Sequence, residues 1–187
     1  MKDTLNEECN VRVVARDRQT GEVLHVREGH NVWTTTGREY SALLKTYRPD
    51  NVPFRNDRIA YVGLGAGTQP ETVDVNRVVD PLPIGGGNWL KGIRHAETTF
   101  PDSGSRLAVR YVVRFESTDL LPSGDGTEVY ISECGLFTDG HSATFEVGQR
   151  DVTYANASLQ SPVAYHTFAP IPKTRGIEIE LIWELRH

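Results

Sequence analysis

The last eleven residues alternate between apolar and polar side chains, and this pattern predicts a β-strand. Every second position is apolar: Ile177, Ile179, Leu181, Trp183 and Leu185. The positions between them are charged except for one: Glu178, Glu180, Ile182, Glu184 and Arg186. A period of two is typical of a strand with one face in the core and one in water. Residues 106–115 alternate in the same way, so we expect a mainly antiparallel β protein.

The composition favours many short strands connected by turns. The chain has 187 residues, which is the size of one domain, so we expect a single domain over residues 1–187. Seventeen glycines and ten prolines indicate frequent turns. The predicted architecture is an antiparallel β-sandwich, with a jelly roll as one form of it, built from eight or nine strands, one helix and one long loop.

Three further segments stand out along the chain. Residues 1–10 are polar and are expected to form an N-terminal arm. The helix is predicted over residues 36–48, where Thr36 and Glu39 fit a capping box. Residues 68–92 are rich in glycine and proline and are expected to form a long loop, which in a compact domain is usually functional or reaches a neighbour.

Two prolines near the C-terminus predict an interrupted strand. Residues 163–168 have the composition of a strand, and Pro170 and Pro172 follow directly. Since proline lacks a backbone donor, we expect the strand to end before them.

The charge distribution argues against nucleic acid and membrane partners. The net charge is −5, whereas binding to phosphates requires clustered positive charge. No apolar run is long enough to span a bilayer, and the N-terminus does not resemble a signal peptide, so we expect folding in a reducing cytoplasm. The three arginines of residues 106–115 are expected on a solvated face opposite Glu178, Glu180 and Glu184.

The two cysteines are far apart in the sequence. Cys134 lies in an apolar segment and is expected to act as a small core residue. A bridge between Cys9 and Cys134 is left open, because no spacing requires or excludes it.

No motif predicts a catalytic, cofactor or metal site. The Gly63-x-Gly65-x-Gly67 spacing differs from a dinucleotide fingerprint, so these glycines are expected to serve sharp turns or close backbone contacts. The histidines show no metal-binding spacing: His25, His30, His95, His141, His166 and His187. No nucleophile elbow occurs.

Glu133 is the acidic residue with two competing interpretations, because it lies inside the apolar segment 129–137. It could act as a catalytic base with a raised pKa. The favoured interpretation is a buried acceptor for backbone amides or for an arginine such as Arg110.

Several short motifs in a fixed order resemble those of a known family. They are Asn31-Val-Trp-Thr-Thr-Thr-Gly37, Val62-Gly-Leu-Gly-Ala-Gly-Thr-Gln-Pro70, Glu133-Cys-Gly-Leu-Phe137, Phe168-Ala-Pro-Ile-Pro-Lys-Thr174 and the terminal alternating strand. This order resembles virion proteins of tailed bacteriophages, notably the particle-proximal domains of tail-fibre and tail-collar proteins. The family's long shaft and receptor-binding tip do not follow in this chain.

The resemblance implies a non-enzymatic docking module of the tail, collar or baseplate. It implies a virion protein that assembles in the host cytoplasm, with itself, as a trimer or another small ring, and other virion proteins as partners. Glu133 and Lys173 would then be structural. A capsid decoration protein is the close alternative, and a carbohydrate-binding sandwich using Trp33, Trp89 and Tyr154 is less favoured.

The interface candidates lie in the long loop: Trp89, Asn88, Leu90 and Pro83. Trp89 is expected either to belong to the core or to anchor the chain in a partner pocket, with neither alternative favoured.

Overall fold

The strands and the helix account for most of the described chain. A computed structural model of the protein describes residues 8–45, 59–84, 89–93, 98–99, 108–122, 127–138 and 161–186. Within these residues the elements are β1 (Glu8–Asp17), β2 (Val23–His30), β3 (Val32–Trp33), α1 (Thr35–Lys45), β4 (Ile59–Gly65), β5 (Leu90–Gly92), β6 (Thr98–Thr99), β7 (Ala108–Phe115), β8 (Val129–Thr138), β9 (Ala164–Lys173) and β10 (Ile177–Arg186).

The strands form two five-stranded antiparallel sheets. Sheet A has the order β2-β1-β10-β7-β6, and sheet B has the order β3-β9-β8-β4-β5. The predicted β-sandwich is therefore confirmed. The terminal strand lies at the centre of sheet A, where it pairs with β1 on one side and with β7 on the other.

The core lies between the two sheets. From Ile179 onward the apolar side chains of β10 that face it are 0–3% exposed, with Trp183 and Leu181 fully buried, and Ile177 is partly buried. Residues of β4, β8 and β9 close the core from sheet B, among them Leu64 and Ile171. The alternating pattern of the last residues thus gives β10 one buried face, as predicted from its period.

The outer face of sheet A carries the arginines as expected. Arg110 pairs with Glu184 at 2.8 Å, and Arg114 pairs with Glu180 at 3.1 Å. Arg106 lies outside the described residues.

The predicted interruption at Pro170 and Pro172 is wrong, since β9 continues through both prolines to Lys173. β3 pairs only with Ala164 and Tyr165, so the rest of β9 has an edge without a ladder partner among the described strands. Pro170 lies where the register between β8 and β9 shifts. A missing donor is tolerated at such an edge or bulge.

The helix is confirmed, but its predicted cap is wrong. The helix α1 begins one residue earlier than expected, and the hydroxyl of Thr34 accepts the amide hydrogen of Gly37 at 3.1 Å. Thr34 also donates to the carbonyl of Pro162 at 2.5 Å, which ties the helix start to the segment before β9. Thr34 therefore takes the capping position predicted for Thr36. Residues 46–48 of the predicted helix lie outside the described residues.

Two further expectations are modified at the N-terminal half. The predicted arm is shorter, because β1 begins at Glu8 and pairs with the end of β10; residues 1–7 lie outside the described residues. Cys9 and Cys134 are both buried, and no disulfide bond joins them.

Candidate functional site

The buried carboxylate of Glu133 is the centre of the largest polar network among the described residues. It lies on β8 and is 0% exposed. Its Oε1 accepts hydrogen bonds from the amides of Gly67 and Asp80, both at 2.9 Å. Its Oε2 accepts hydrogen bonds from the amide of Val79 at 3.1 Å and from the hydroxyl of Tyr165 at 2.6 Å. Four donors match the acceptor capacity of a carboxylate.

This network fastens the first part of the long loop to its own sheet. Gly67, Val79 and Asp80 all precede residue 84, and their backbone amides point to one side chain of β8. The arginine predicted as an alternative partner, Arg110, pairs with Glu184 instead. The geometry favours the acceptor interpretation of Glu133 over the base, since four donors occupy its two oxygens.

The glycines of the 63–67 segment make this close approach possible. A Cβ added at Gly67 would lie 2.5 Å from Oε1 of Glu133, and one at Gly65 would lie 2.4 Å from the same atom. A Cβ at Gly63 would lie 2.5 Å from the ring of Trp89. The expected role of these glycines in close backbone contacts is confirmed.

A second contact holds the loop at its middle. The carboxylate of Glu71 accepts the amide hydrogen of Thr167 at 2.7 Å. Oε1 of Glu71 also lies 2.7 Å from Nδ1 of His166, which is 8% exposed. Burial lowers the pKa of His166, and the Glu71 carboxylate opposes this shift. Two carboxylates, that of Glu133 on β8 and that of Glu71 in the loop, therefore hold the first part of the loop against sheet B.

Apolar side chains complete this cover. Val75 and Val78 of the loop pack on the outer side of sheet B against Tyr61, Phe137 and Tyr165. Burial and the Glu133 carboxylate raise the pKa of Tyr165, so its phenol remains a donor at neutral pH. Residues 68–84 thus pack on their own sheet and do not extend away from it.

The interface candidates of the loop have different environments. Trp89 is partly buried, and its ring meets that of Phe137 edge-on with 5.2 Å between the ring centroids. Leu90 is 6% exposed and begins β5, so the predicted loop 68–92 is wrong at its end, where residues 90–92 form a strand paired with β4. Pro83 is partly buried, and its carbonyl accepts the amide hydrogen of Leu120 at 2.7 Å. Asn88 lies outside the described residues.

Lys173 lies at the end of β9 and joins the two sheets. It is 0% exposed, and its Nζ donates to the carbonyls of Ser117 and Thr174, both at 2.9 Å. Burial lowers the pKa of Lys173 to about 8, while Asp119 opposes the shift. Ser117 lies in the turn after β7, so this lysine connects sheet B to the end of a sheet A strand.

The same turn is held by a second lysine. Lys91 on β5 forms an ion pair with Asp119, and both side chains are largely buried. Asp119 also accepts the amide hydrogen of Glu116 at 2.8 Å. The next residue, Leu120, is fully buried and has a φ of 68°, a conformation that the surrounding contacts hold in place.

A groove of about 590 Å³ lies on the outer face of sheet A. Its described lining contains no tryptophan, tyrosine or phenylalanine: Asn10, Val11, Arg12, Glu28, Gly29, His30, Arg110, Ile182 and Glu184. Trp33 is not part of this lining, and Tyr154 lies outside the described residues. The stacking surface expected for a sugar site is therefore not found in the described part of this groove.

The sequence singled out Glu133 and Lys173 and predicted backbone amides as one possible set of partners for Glu133, but it did not show which amides these are or what Lys173 binds. Backbone amides bind Glu133, and they carry no side-chain signature. Tyr165, Glu71 and the Lys91–Asp119 pair were not identified, since their partners lie 28–96 positions away in the sequence. A buried ionisable residue in a strand was the one usable signal.

Searches of the described residues for two other site types gave negative results. No group of three or more histidine, cysteine, aspartate or glutamate side chains is arranged to hold a metal ion. No described helix is both long and apolar enough to cross a membrane.

The chain was also compared with known proteins. No protein-family model, no curated protein and no solved structure matches it.

Proposed function

We propose that this protein is a non-enzymatic structural protein of a tailed-bacteriophage virion, an oligomeric docking module of the tail, collar or baseplate. Its partners are further copies of itself and other virion proteins, and neither nucleic acid nor a membrane is among them. Its location is the virion, which assembles in the host cytoplasm.

The observation that carries the proposal is the contact between Glu133 and Gly67. It joins two of the motifs on which the resemblance to tail-fibre and tail-collar proteins depends, at 2.9 Å and in a buried position. Two motifs that lie 66 positions apart therefore have a common structural purpose. Motifs of an enzyme are expected to meet around a substrate pocket, whereas these meet in a packed contact.

The other motifs also support the proposal through their contacts. In the first motif, Thr34 caps the helix, and a Cβ at Gly37 would lie 1.9 Å from the carbonyl oxygen of Val163. In the fourth motif, Lys173 binds the turn after β7. Each motif fixes one element against another, as a rigid scaffold for assembly requires.

The paired charges of sheet A support the exclusion of nucleic acid. Arg110 and Arg114 each have a glutamate partner within 3.2 Å. The described arginines of this face are matched by as many glutamates, so the face has no net positive charge to attract phosphates.

Capsid decoration remains the alternative, because it uses the same scaffold at another place. Electron microscopy of purified particles that carry a gold-labelled tag at the C-terminus of this chain separates the two. We expect label at the tail, collar or baseplate, and label spread over the capsid surface would support the alternative.

Untagged particles are the control for nonspecific gold. Particles without label, from a lysate in which the tagged protein is present and folded, would contradict both locations.

A further inference from the structure

The charges on the outer face of sheet A form columns along the strands, and the sign of the columns alternates. From β2 across to β7 the strands β2-β1-β10-β7 carry acidic, basic, acidic and basic side chains. Among the side chains of this face that the structure describes, the members are Glu28 alone on β2, Arg12 and Arg16 on β1, Glu178, Glu180 and Glu184 on β10, and Arg110 and Arg114 on β7. Two strands that lie at equal distances on either side of the line between β1 and β10 therefore carry charges of opposite sign.

We propose that this face docks against the same face of a second copy of the chain, around a two-fold axis parallel to the strands between β1 and β10. That operation places β1 of one copy over β10 of the other, and β2 over β7. Every charged column then faces a column of opposite sign. The proposal rests on the oligomeric part of the proposed function, and the place of the protein in a particle does not enter it.

The strand register allows the facing charges to meet. Arg16 on β1 lies directly beside Glu178 on β10 in the strand register. The two-fold axis therefore places Arg16 of one copy opposite Glu178 of the other. Arg12 pairs with Ile182 and is therefore one row away from both Glu180 and Glu184. One row is two residues, about 7 Å along a strand, which a long arginine side chain spans.

Several charged side chains of the face are exposed enough to reach a second copy, whereas those of Glu180 and Glu184 are only 17% and 11% exposed and must be approached by the long arginines of the other copy. The side chains of Arg12 and Glu28 are 50% and 63% exposed, and that of Arg114 is 70% exposed. Their present ion pairs lie within the face, as in the 3.0 Å contact between Arg12 and Glu28. A guanidinium has five donors, so each arginine can keep its own glutamate and bind another.

The size of the face suits a stable dimer. Its four strands have eight to ten residues each. At about 4.8 Å between strands and about 3.3 Å per residue, they cover roughly 19 by 30 Å before side-chain relief is added. Each partner in a stable interface buries about 800 Å², which is of the same order. The groove of about 590 Å³ on this face leaves room for the long side chains of the facing copy.

The test is a charge swap that keeps the fold and the net charge. The double variant Arg12→Glu/Glu28→Arg retains an ion pair within the face but places like charges opposite each other between copies. We expect sedimentation equilibrium in low salt to show a dimer of the unaltered protein, with at least a tenfold weaker Kd for the double variant. The dimer should also weaken in 0.5 M NaCl, because salt screens exposed charges.

The matched control is Arg38→Glu/Glu39→Arg on the exposed side of α1, which should change Kd less than twofold. Circular dichroism melts verify that each variant is folded, and Glu28→Arg alone serves if the double variant is not. The proposal is overturned by an unaltered protein that stays monomeric at millimolar concentration, or by a swap variant that associates as well as the unaltered protein. A monomer that is nevertheless found in particles would remove this inference and leave the proposed function standing.

Discussion

Glu133 and Gly67 are joined by a buried hydrogen bond of 2.9 Å between Oε1 and the backbone amide. The carboxylate accepts the hydrogen bond that the Gly67 amide would otherwise donate to a neighbouring strand. It also accepts the hydrogen bonds of the Val79 and Asp80 amides. A buried amide without an acceptor would cost about 1–3 kcal/mol. One side chain of β8 thus determines where the long loop lies.

Glu133→Gln should destabilise the fold by about 2–4 kcal/mol, because an amide side chain has only one acceptor oxygen for four donors. The free energy of unfolding from urea titration checks this prediction. Glu22→Gln, at an exposed position in the turn before β2, is the matched control and should be neutral. An equal effect of the two variants would show that the network does not stabilise the fold.

Gly67→Ala should destabilise the protein by about 1–3 kcal/mol, since the new Cβ would overlap the Glu133 carboxylate. Thermal unfolding is a sufficient measurement. The comparison is Gly176→Ala, where the nearest atom is 3.7 Å from the added Cβ. If both variants unfold at the same temperature as the unaltered protein, the loop does not approach Glu133 as described.

Thr34→Ala should cost about 1–2 kcal/mol of stability, because it removes the helix cap and the bond to Pro162. Thr36→Ala should cost less, although the sequence predicted Thr36 as the cap. Urea unfolding of the two variants decides between the positions, and the reverse order of effects would restore the predicted capping box.

Trp89→Ala should lower stability by about 2 kcal/mol or more, since the ring covers Gly63 and meets Phe137. The measurement is chemical unfolding, combined with sedimentation to follow assembly. Unchanged stability with lost assembly would instead identify Trp89 as an anchor in a partner pocket.

The pH dependence of Lys173 has a definite sign. Its pKa of about 8 in the folded state lies below its ordinary value of 10.5, so the folded state binds fewer protons between these values. The cost of burying the charged Lys173 ammonium is therefore present in full below pH 8 and is relieved as pH rises from 8 to 10.5. The full shift corresponds to about 3 kcal/mol as an upper limit.

The check is the difference in unfolding free energy between the unaltered protein and Lys173→Met at pH 7.5 and pH 10. Burial raises the pKa values of Tyr111 and Cys134, so their contributions to stability fall as pH rises. These contributions are the same in both proteins and cancel in the difference. Between pH 7.5 and pH 10 we expect the unaltered protein to gain about 1–3 kcal/mol of stability relative to the variant. A flat difference would contradict the buried charge of Lys173.

The sequence predicts those parts of the fold that depend on local periodicity. Hydrophobic periods of two and of 3.6 residues predict the terminal strand, β7 and the helix. The opposite charges of the side chains on neighbouring strands predict the paired arginines. The continuation of β9 through Pro170 and Pro172 could not be predicted, because tolerance of proline depends on which edge lacks a partner.

The candidate site was also predicted only in part, since the sequence identified two residues but not their partners. An ionisable residue in an apolar strand identified Glu133, and the family motifs identified Lys173. Their partners are backbone groups of distant segments, and no pattern of side chains encodes these. The cap at Thr34 was missed because its second bond reaches Pro162, 128 positions away.

The central claim is that this protein is a fixed structural part of a phage particle. Quantitative mass spectrometry of density-gradient-purified particles from a lysate that contains this chain tests this claim most directly. The account predicts a constant copy number per particle, a small multiple of the symmetry of the tail. Absence of the chain from particles, while it is abundant in the infected-cell lysate, would contradict it.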